Sequence, residues 1–376
     1  MPATKDNPAR PVRLLALAGD GIGPEIMAAT RAVLAAAAAG RGIALEVTQR
    51  DIGLTALGKC GATITEEILT AARDVDGIIL GPVSHNDYPP REQGGLNPSG
   101  ELRKRLALYA NIRPARTFAG VRPATGTPLD LIIYRENTEG FYADRNLHHG
   151  PGEFMPVEDC VLSVRRVTRR ASLDIARAAF AEARRRQQSG EGPGRVTAVH
   201  KANVLRLGDG LFLDCVREVA GDYPEIDYEE ILVDAMCAHL VRRPADFDIV
   251  CTTNMYGDIL SDLASELAGG IGLAASLNAG REHAMAQAQH GSAPDLAGQD
   301  AANPASLIGS AAMLLKWLGA RRGDGSLAAA ARDMELGLEA ALGKAETRTR
   351  DLGGRLGTAA FGAVVADLTG ARAGRS

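Results

Sequence analysis

The sequence has no marked excess of charge of either sign. Its 42 lysines and arginines against 46 aspartates and glutamates leave a net charge of −4, so the charge footprint of a nucleic-acid or anionic-membrane binder is missing. Arginine-rich runs such as "RRVTRR" and "EARRRQQ" alternate with apolar residues and read as solvated helix faces. Long apolar runs are also lacking: "AVLAAAAAG" and its like are too short to span a bilayer. The opening "MPATKDNPARP" is polar and is expected to be a flexible start rather than a signal peptide. Cysteines are few, odd in number and scattered (Cys60, Cys160, Cys215, Cys237, Cys251), with no CxxC spacing. That excludes the usual zinc and redox-pair patterns and suits a reducing cytoplasm. Cys251, inside an apolar run, reads as a small core filler.

What is present is length and alternation. A chain of 376 residues, 45% hydrophobic, has room for two or three domains with full cores. The segment "VRLLALAGDGIGPEIMAATRAVLAAAA" reads as strand, turn and helix. Further strands are expected at "DGIILGPV", "LDLIIYREN", "RVTAVHKAN", "YEEILVDAM" and "FDIVCTTN", with helices between most of them, for example over 171–187 and 210–219. Such alternation predicts an α/β protein with much parallel sheet. Pro- and Gly-rich loops are expected at 81–100, 121–128, 150–156 and 188–194, and "GARAGRS" is expected to be a disordered tail. No internal repeat or low-complexity domain is visible.

"AGDGIGPEI" invites the dinucleotide fingerprint GxGxxG and fails it. Gly19 and Gly21 match, but Pro24 takes the third position, and an alanine-rich stretch follows where a ribose-binding acid belongs. Pro24 in a first helical turn, followed by Glu25, is ordinary helix-start chemistry.

The charged residues cluster by position instead. "FDIVCTTNMYGDILSD" predicts a buried strand and then a helix opening at "GDILSD", with Asp258 and Asp262 at i and i+4 on one face near its start. Like charges at that spacing repel unless something cationic lies between them; solvated aspartates are the plainer alternative. Arg103, Arg113 and Arg135 stand beside strand and turn signals, in "GELRKRLALYANIRP" and "YRENTEGFY". Guanidinium forks of this kind grip carboxylates, although any one of them taken singly reads more readily as a surface residue. "VHKANVL" sets Lys201 at a strand end, an expensive place for an unpaired amine, and Asp234 ends another run in "ILVDAM". Ligands of open α/β sheets gather at the carboxyl ends of strands. Tyr142, Lys201, Asp234, Asn254 and Asp258 all fall at or just past such ends. Three aspartates offer oxygen donors suited to Mg²⁺ or Mn²⁺. "HGSAPDLAGQDAANP", from His290 to Pro304, is a small-residue loop that could wrap a flat ligand and offer Asp295 to ribose hydroxyls.

Taken in order, "GDGIGPE", "LRKRLALYANIRP", "YRENTEGFY", "HKANVL", "TTNMYGDILSD" and "HGSAPDLAG…ANP" resemble the isocitrate/isopropylmalate dehydrogenase family of β-decarboxylating dehydrogenases, over about residues 12–370. The resemblance implies an α/β, isopropylmalate dehydrogenase-like two-domain fold that is not a Rossmann fold. Its large cofactor-binding domain would take 1–108 plus 269–376, and the small domain with the dimer interface 109–268. It implies a homodimer, or a multiple of dimers, whose active sites are shared, Lys201, Val204 and Asp234 coming from the partner subunit, and the cysteine usage above sets the expected compartment as cytoplasmic. It implies substrate carboxylates held by Arg103, Arg113 and Arg135, and Mg²⁺ or Mn²⁺ held by Asp234, Asp258 and Asp262. Lys201 would act as base and Tyr142 as proton donor. His290, Gly291, Asp295 and Asn303 would bind the cofactor, with Asn303 at the adenine. Asp295 and Leu296 stand where NADP-using relatives carry Lys and Tyr, and a carboxylate repels a 2′-phosphate, so NAD is expected.

Substrate choice in the family is set just before Arg103. Here "NPSGELR" supplies Asn97 and Ser99, the polar pair of the isocitrate branch in reversed order, and Gly100 where isopropylmalate enzymes carry a leucine. A polar pocket rejects an apolar branch because its buried polar groups would lose partners. Isocitrate is therefore the expected substrate. Isopropylmalate, homoisocitrate, tartrate and D-malate are alternatives, and a non-catalytic regulatory subunit is the alternative of another class. Such subunits usually lose the tyrosine, the lysine or a metal aspartate, and this chain keeps them all. The loop "SHNDYPPREQGG" fits no branch, and Ala286 and Gln287 replace a usual aromatic and a usual acid near the cofactor.

Overall fold

The structure, a computed structural model, describes residues 10–142 and 152–373. Most of the polar start and the last three residues lie outside them. Short β-branched runs and longer periodic segments form, in chain order, β1 (Val12–Leu17), α1 (Gly23–Gly40), β2 (Leu45–Arg50), α2 (Gly53–Cys60), α3 (Glu66–Asp74), β3 (Gly77–Leu80) and α4 (Pro98–Arg105). There follow β4 (Ala110–Arg116), β5 (Asp130–Glu136), β6 (Glu153–Val157), β7 (Cys160–Ser163), α5 (Arg169–Ser189), β8 (Arg195–His200), α6 (Gly208–Gly221) and β9 (Asp227–Leu232). Then come α7 (Val233–Arg242), β10 (Ile249–Thr252), α8 (Asn254–Ala268), β11 (Leu277–Ala279), β12 (Ala284–Gln287), α9 (Ala305–Arg322), α10 (Gly325–Leu342) and α11 (Thr358–Ala373).

The chain divides into two compact units, Met1–Ser99 with His283–Ser376, and Gly100–Glu282. The first unit takes both ends of the chain. Its strands run β2-β1-β3-β12, all parallel, with Leu14 opposite Val47, Leu17 opposite Leu80 and Met285 opposite Ile78. Helix α1 packs on α11, and α10 packs on α9 and α11. The β1–α1 turn is tight for a reason visible at Gly19 and Gly21: both have positive φ, and a Cβ on either would strike the carbonyl oxygen of Pro82 or Ser292.

The second unit orders its strands β11-β4-β5-β10-β8-β9. The β11–β4 and β4–β5 pairs are antiparallel, and β5, β10, β8 and β9 run parallel. Strand alternation divides the apolar side chains between two cores. Tyr134, Val196, Ala198, Ile249 and Cys251 pack with α5 and α6 residues such as Phe180 and Phe212. Leu131, Ile133, Val199 and Val250 face the other way, onto Met236 and Leu240 of α7 and Leu260, Ala264 and Leu267 of α8. Cys251 is fully buried in the first of these, the filler role expected of it. Strands β6 and β7 form a separate exposed hairpin.

Four local expectations are corrected. "YEEILVDAM" is only half strand: β9 ends at Leu232, and Asp234 sits in the first turn of α7. The loop expected at 150–156 contains the start of β6. The tail expected at "GARAGRS" is helical through Ala373, because α11 continues across Gly370. The aspartate-bearing helix begins at Asn254, so Asp258 lies in its second turn rather than at its start.

Candidate active site

In the second unit, three elements bring one cluster together. Strands β4 and β5 are antiparallel neighbours, which sets Arg113 and Arg135 on adjacent strands. The next strand, β10, runs into α8 through Thr253. Gly257 lets α8 lie directly on β5, since a Cβ there would come within 2.6 Å of the Arg135 Cβ and 2.5 Å of its Cγ. One turn of helix then places Asp258, Ser261 and Asp262 over the two arginines.

The arginines are almost wholly buried and the aspartates are not. Arg135 donates to Asp258 Oδ1 through Nη1, to Asn254 Oδ1 through Nε at 2.9 Å, and to the Tyr142 hydroxyl through Nη2 at 2.6 Å. Tyr142 in turn donates to Asp258 Oδ2 at 2.9 Å. Arg113 Nη1 reaches Asp258 Oδ1 at 3.0 Å, Ser261 Oγ at 2.7 Å and Asp262 Oδ1 at 3.5 Å, while its Nε donates to Asn111. The side chains of Asp258 and Asp262 remain 40% and 54% exposed. Burial pushes the Asp258 carboxyl up, but Arg135 and Arg113, with help from the Tyr142 hydroxyl and Arg103, outweigh it and hold it below the usual range. Burial and the like charge of Arg135 press Arg113 down to about 10, so it stays cationic at neutral pH.

The i, i+4 aspartates thus do face cations, here two guanidinium groups. Their donors are carboxylate oxygens with solvent access, which fits a hard divalent ion in donor chemistry. Among the described residues, no group of three His, Cys, Asp or Glu side chains is placed to hold a metal, so one chain does not assemble all three expected aspartates. Asp234 instead accepts from Lys201 Nζ, and this contact, foremost, holds its carboxyl below the usual range. Lys201 follows directly on β8, as expected of a strand-end lysine. Val204, expected at the same interface, is 66% exposed.

The remaining expected residues occupy the first unit, apart from Arg103, which is buried in α4 of the second. Ser99 donates to Gln287 Oε1 at 3.1 Å, and Asn97 is partly buried two residues earlier. Burial lowers the proton affinity of His290 below its ordinary range, and its Nδ1 lies 3.0 Å from the Gly291 carbonyl. Asp295 is exposed in a short turn at Pro294–Leu296. Asn303 donates to Asp351 at 3.0 Å and accepts from the Ala305 N–H at 3.0 Å. These contacts hold its amide in one orientation.

Sequence reasoning passed over Ser261, although it lies three residues after Asp258 on the same helical face. It placed Asn254 near the site but gave it no role; its amide links Arg135 to the Glu139 carbonyl, at 2.9 and 2.8 Å.

The chain is similar to known enzymes over nearly its whole length. The family model described as isocitrate/isopropylmalate dehydrogenase matches residues 13–365. A 3-isopropylmalate dehydrogenase of Archaeoglobus fulgidus is 38% identical over 356 residues, covering 95% of this chain and 99% of that enzyme. An isocitrate/homoisocitrate dehydrogenase of Thermus thermophilus is 40% identical over 354 residues, covering 93% of this chain and 96% of the other. The crystal structure of isocitrate dehydrogenase from Methylococcus capsulatus superposes with a TM-score of 0.83 at 35% identity, covering 96% of this chain and 99% of that one. A match of this extent places the chain in the isocitrate/isopropylmalate dehydrogenase family.

Proposed function

We propose that this dehydrogenase oxidatively decarboxylates a 3-carboxylated malate with a polar C3 substituent, isocitrate first among them, using NAD and Mg²⁺ or Mn²⁺. The observation that carries the chemistry is the Tyr142 hydroxyl held between Arg135 Nη2 and Asp258 Oδ2 at 2.6 and 2.9 Å. Two buried guanidinium groups beside it suit a dianionic or trianionic substrate. Asp258 and Asp262, with Asp234 of a second copy, would hold the cation. His290, Gly291, Asp295 and Asn303 would hold the dinucleotide, the first unit serving as cofactor domain. When bound, the dinucleotide would supply a hydride acceptor for C2 and the cation would supply a Lewis acid for the C2 oxygen. Arg103, Arg113 and Arg135 orient the substrate carboxylates. Lys201, lent by the partner, removes the C2 hydroxyl proton. The C3 carboxylate leaves as CO₂, its bonding electrons remain on the substrate, and Tyr142 delivers a proton to C3.

The polar-pocket reading rests on Asn97 and Ser99, and the Ser99 hydroxyl donates to Gln287 Oε1 at 3.1 Å. The test is reduced-nicotinamide absorbance with isocitrate, isopropylmalate, homoisocitrate, tartrate and D-malate, with NAD or NADP, and with or without EDTA. EDTA-sensitive turnover of isocitrate with NAD is expected. Preference for isopropylmalate would overturn the pocket reading and leave the chemistry standing. Preference for NADP would overturn the role given to Asp295, and silence across the panel would overturn the function.

A further inference from the structure

Behind the cluster lies a buried ion pair that the chemistry above does not use. Arg165 Nη1 donates to Asp209 Oδ1, and the Asp209 side chain has no solvent exposure. The other oxygen, Oδ2, accepts the backbone N–H of Lys201 at 2.5 Å. The Lys201 carbonyl takes the N–H groups of Val204 and Leu205 at 3.0 and 2.9 Å, which closes the turn that presents its side chain.

The guanidinium of Arg165 has three further contacts. Its Nη2 donates to Thr253 Oγ1 at 3.0 Å. Its carbon lies 5.7 Å from the centre of the Phe141 ring and 5.5 Å from that of Tyr256. Thr253 is the N-cap residue of α8, yet its side chain makes no cap bond; it is turned to Arg165 instead. Phe141 immediately precedes Tyr142, and Tyr256 lies two residues before Asp258. One buried pair therefore touches the Lys201 turn, the Tyr142 loop and the start of the helix that carries Asp258 and Asp262.

Stability alone is a poor account of the pair. Taking two charges out of water costs about what their attraction returns, and apolar replacements of such pairs are often neutral or better. What a fork with fixed donors supplies is geometry, because a guanidinium bonds two oxygens in one plane and stacks on rings on its faces. We infer that Arg165 and Asp209 are positioning residues that hold the Lys201 amine and the Tyr142 hydroxyl in register with the α8 aspartates. This rests on the roles proposed above for Lys201 and Tyr142. Because Lys201 in that reading serves the partner's site, the same pair ties the geometry of one site to that of the other.

The test compares Arg165→Lys, Asp209→Asn and the double variant with the wild type, in the full-length protein. Arg165→Lys keeps the charge and loses the fork. Asp209→Asn keeps the shape and loses one of the two acceptances. Each single variant is expected to lose about tenfold or more in kcat, with KM for the hydroxy acid changed about threefold or less, since displacements of an ångström cost that much in chemistry and little in binding. The double variant should be no worse than the poorer single, because one unit is broken in either case. A kcat that holds while the melting temperature falls would overturn the inference, as would losses that multiply in the double.

Amide hydrogen exchange gives a readout independent of turnover. Asp209→Asn should speed exchange both at 201–205 and at 137–142 while α5 keeps its protection. Unchanged exchange at either segment would overturn the inference even if the wild type proved silent on every substrate. Silence of the wild type would itself overturn only the proposed function.

Discussion

Asp258 is the residue on which the cluster turns. Arg113 and Arg135 are like charges in near-total burial; burial and the charge of Arg135 press Arg113 down, and Asp258 Oδ1 accepts from both guanidinium groups. His200, next to Lys201, carries a separate, testable charge effect. Its Nδ1 accepts the Ala202 N–H at 3.1 Å, which only the neutral ring can do. Burial lowers its affinity for a proton below the ordinary 6.5, and the carboxylates of Glu230 and Asp209 offset this only in part. The folded protein then binds this proton less readily than the unfolded chain. The contribution is complete above the unfolded value and is lost as pH falls from 6.5 toward the lower folded value. Melting temperatures of the wild type and His200→Asn, taken from roughly pH 7.5 to pH 5.5, should show the wild type declining more steeply. Equal slopes would remove His200 from the account.

Among the elements, α8 shows how far the sequence could be read. Its apolar spacing, the strand before it and the shared face of Asp258 and Asp262 were all legible, because helical and strand periodicities are local. So was the need for something cationic beside the aspartates. The identity of the cations was not, because β4 and β5 become neighbours only through sheet pairing. β4 itself, "ANIRPAR", was hidden by its proline and two arginines, and β11 and β12 by their length of three and four residues. The break between β9 and α7 was missed because "ILVDAM" suits either period. Gly257 was visible as a glycine but not as a contact. Its Cβ would meet Arg135 Cα at 3.2 Å as well as the two side-chain carbons, so nothing flexible can move aside. Gly257→Ala should push α8 off β5, costing about 1–3 kcal/mol of stability, with a larger loss in kcat as Asp258 leaves Tyr142. Thermal denaturation and turnover measured together decide this; a normal melting temperature with normal kcat would show that the strand yields.

At the scale of the whole molecule, the question is whether one chain suffices. Lys201 pairs with Asp234, while Tyr142 pairs with Asp258, and no third acid joins Asp258 and Asp262 among the described residues. The second unit also exposes large apolar side chains: Phe154, Met155, Val157, Val161 and Leu162 on the β6–β7 hairpin, Val204 and Leu207 beside Lys201, and Ile259 on α8. Such a set on one unit asks for cover, and a two-fold copy supplies the same patch in return. A shared site makes a sharp prediction. Tyr142→Phe and Lys201→Met should each keep the fold and lose at least about tenfold in kcat, a floor below the ~10²–10⁴-fold that a proton-transfer group typically supplies. In a mixed dimer, one site combines both defects and the other combines the intact tyrosine of one chain with the intact lysine of its partner. Dissociating and reassociating equal amounts of the two variants should therefore restore about a quarter of wild-type turnover, since half the dimers are mixed and each has one sound site. Lysine and tyrosine acting within the same chain would instead leave every site carrying one defect, and mixing would restore nothing.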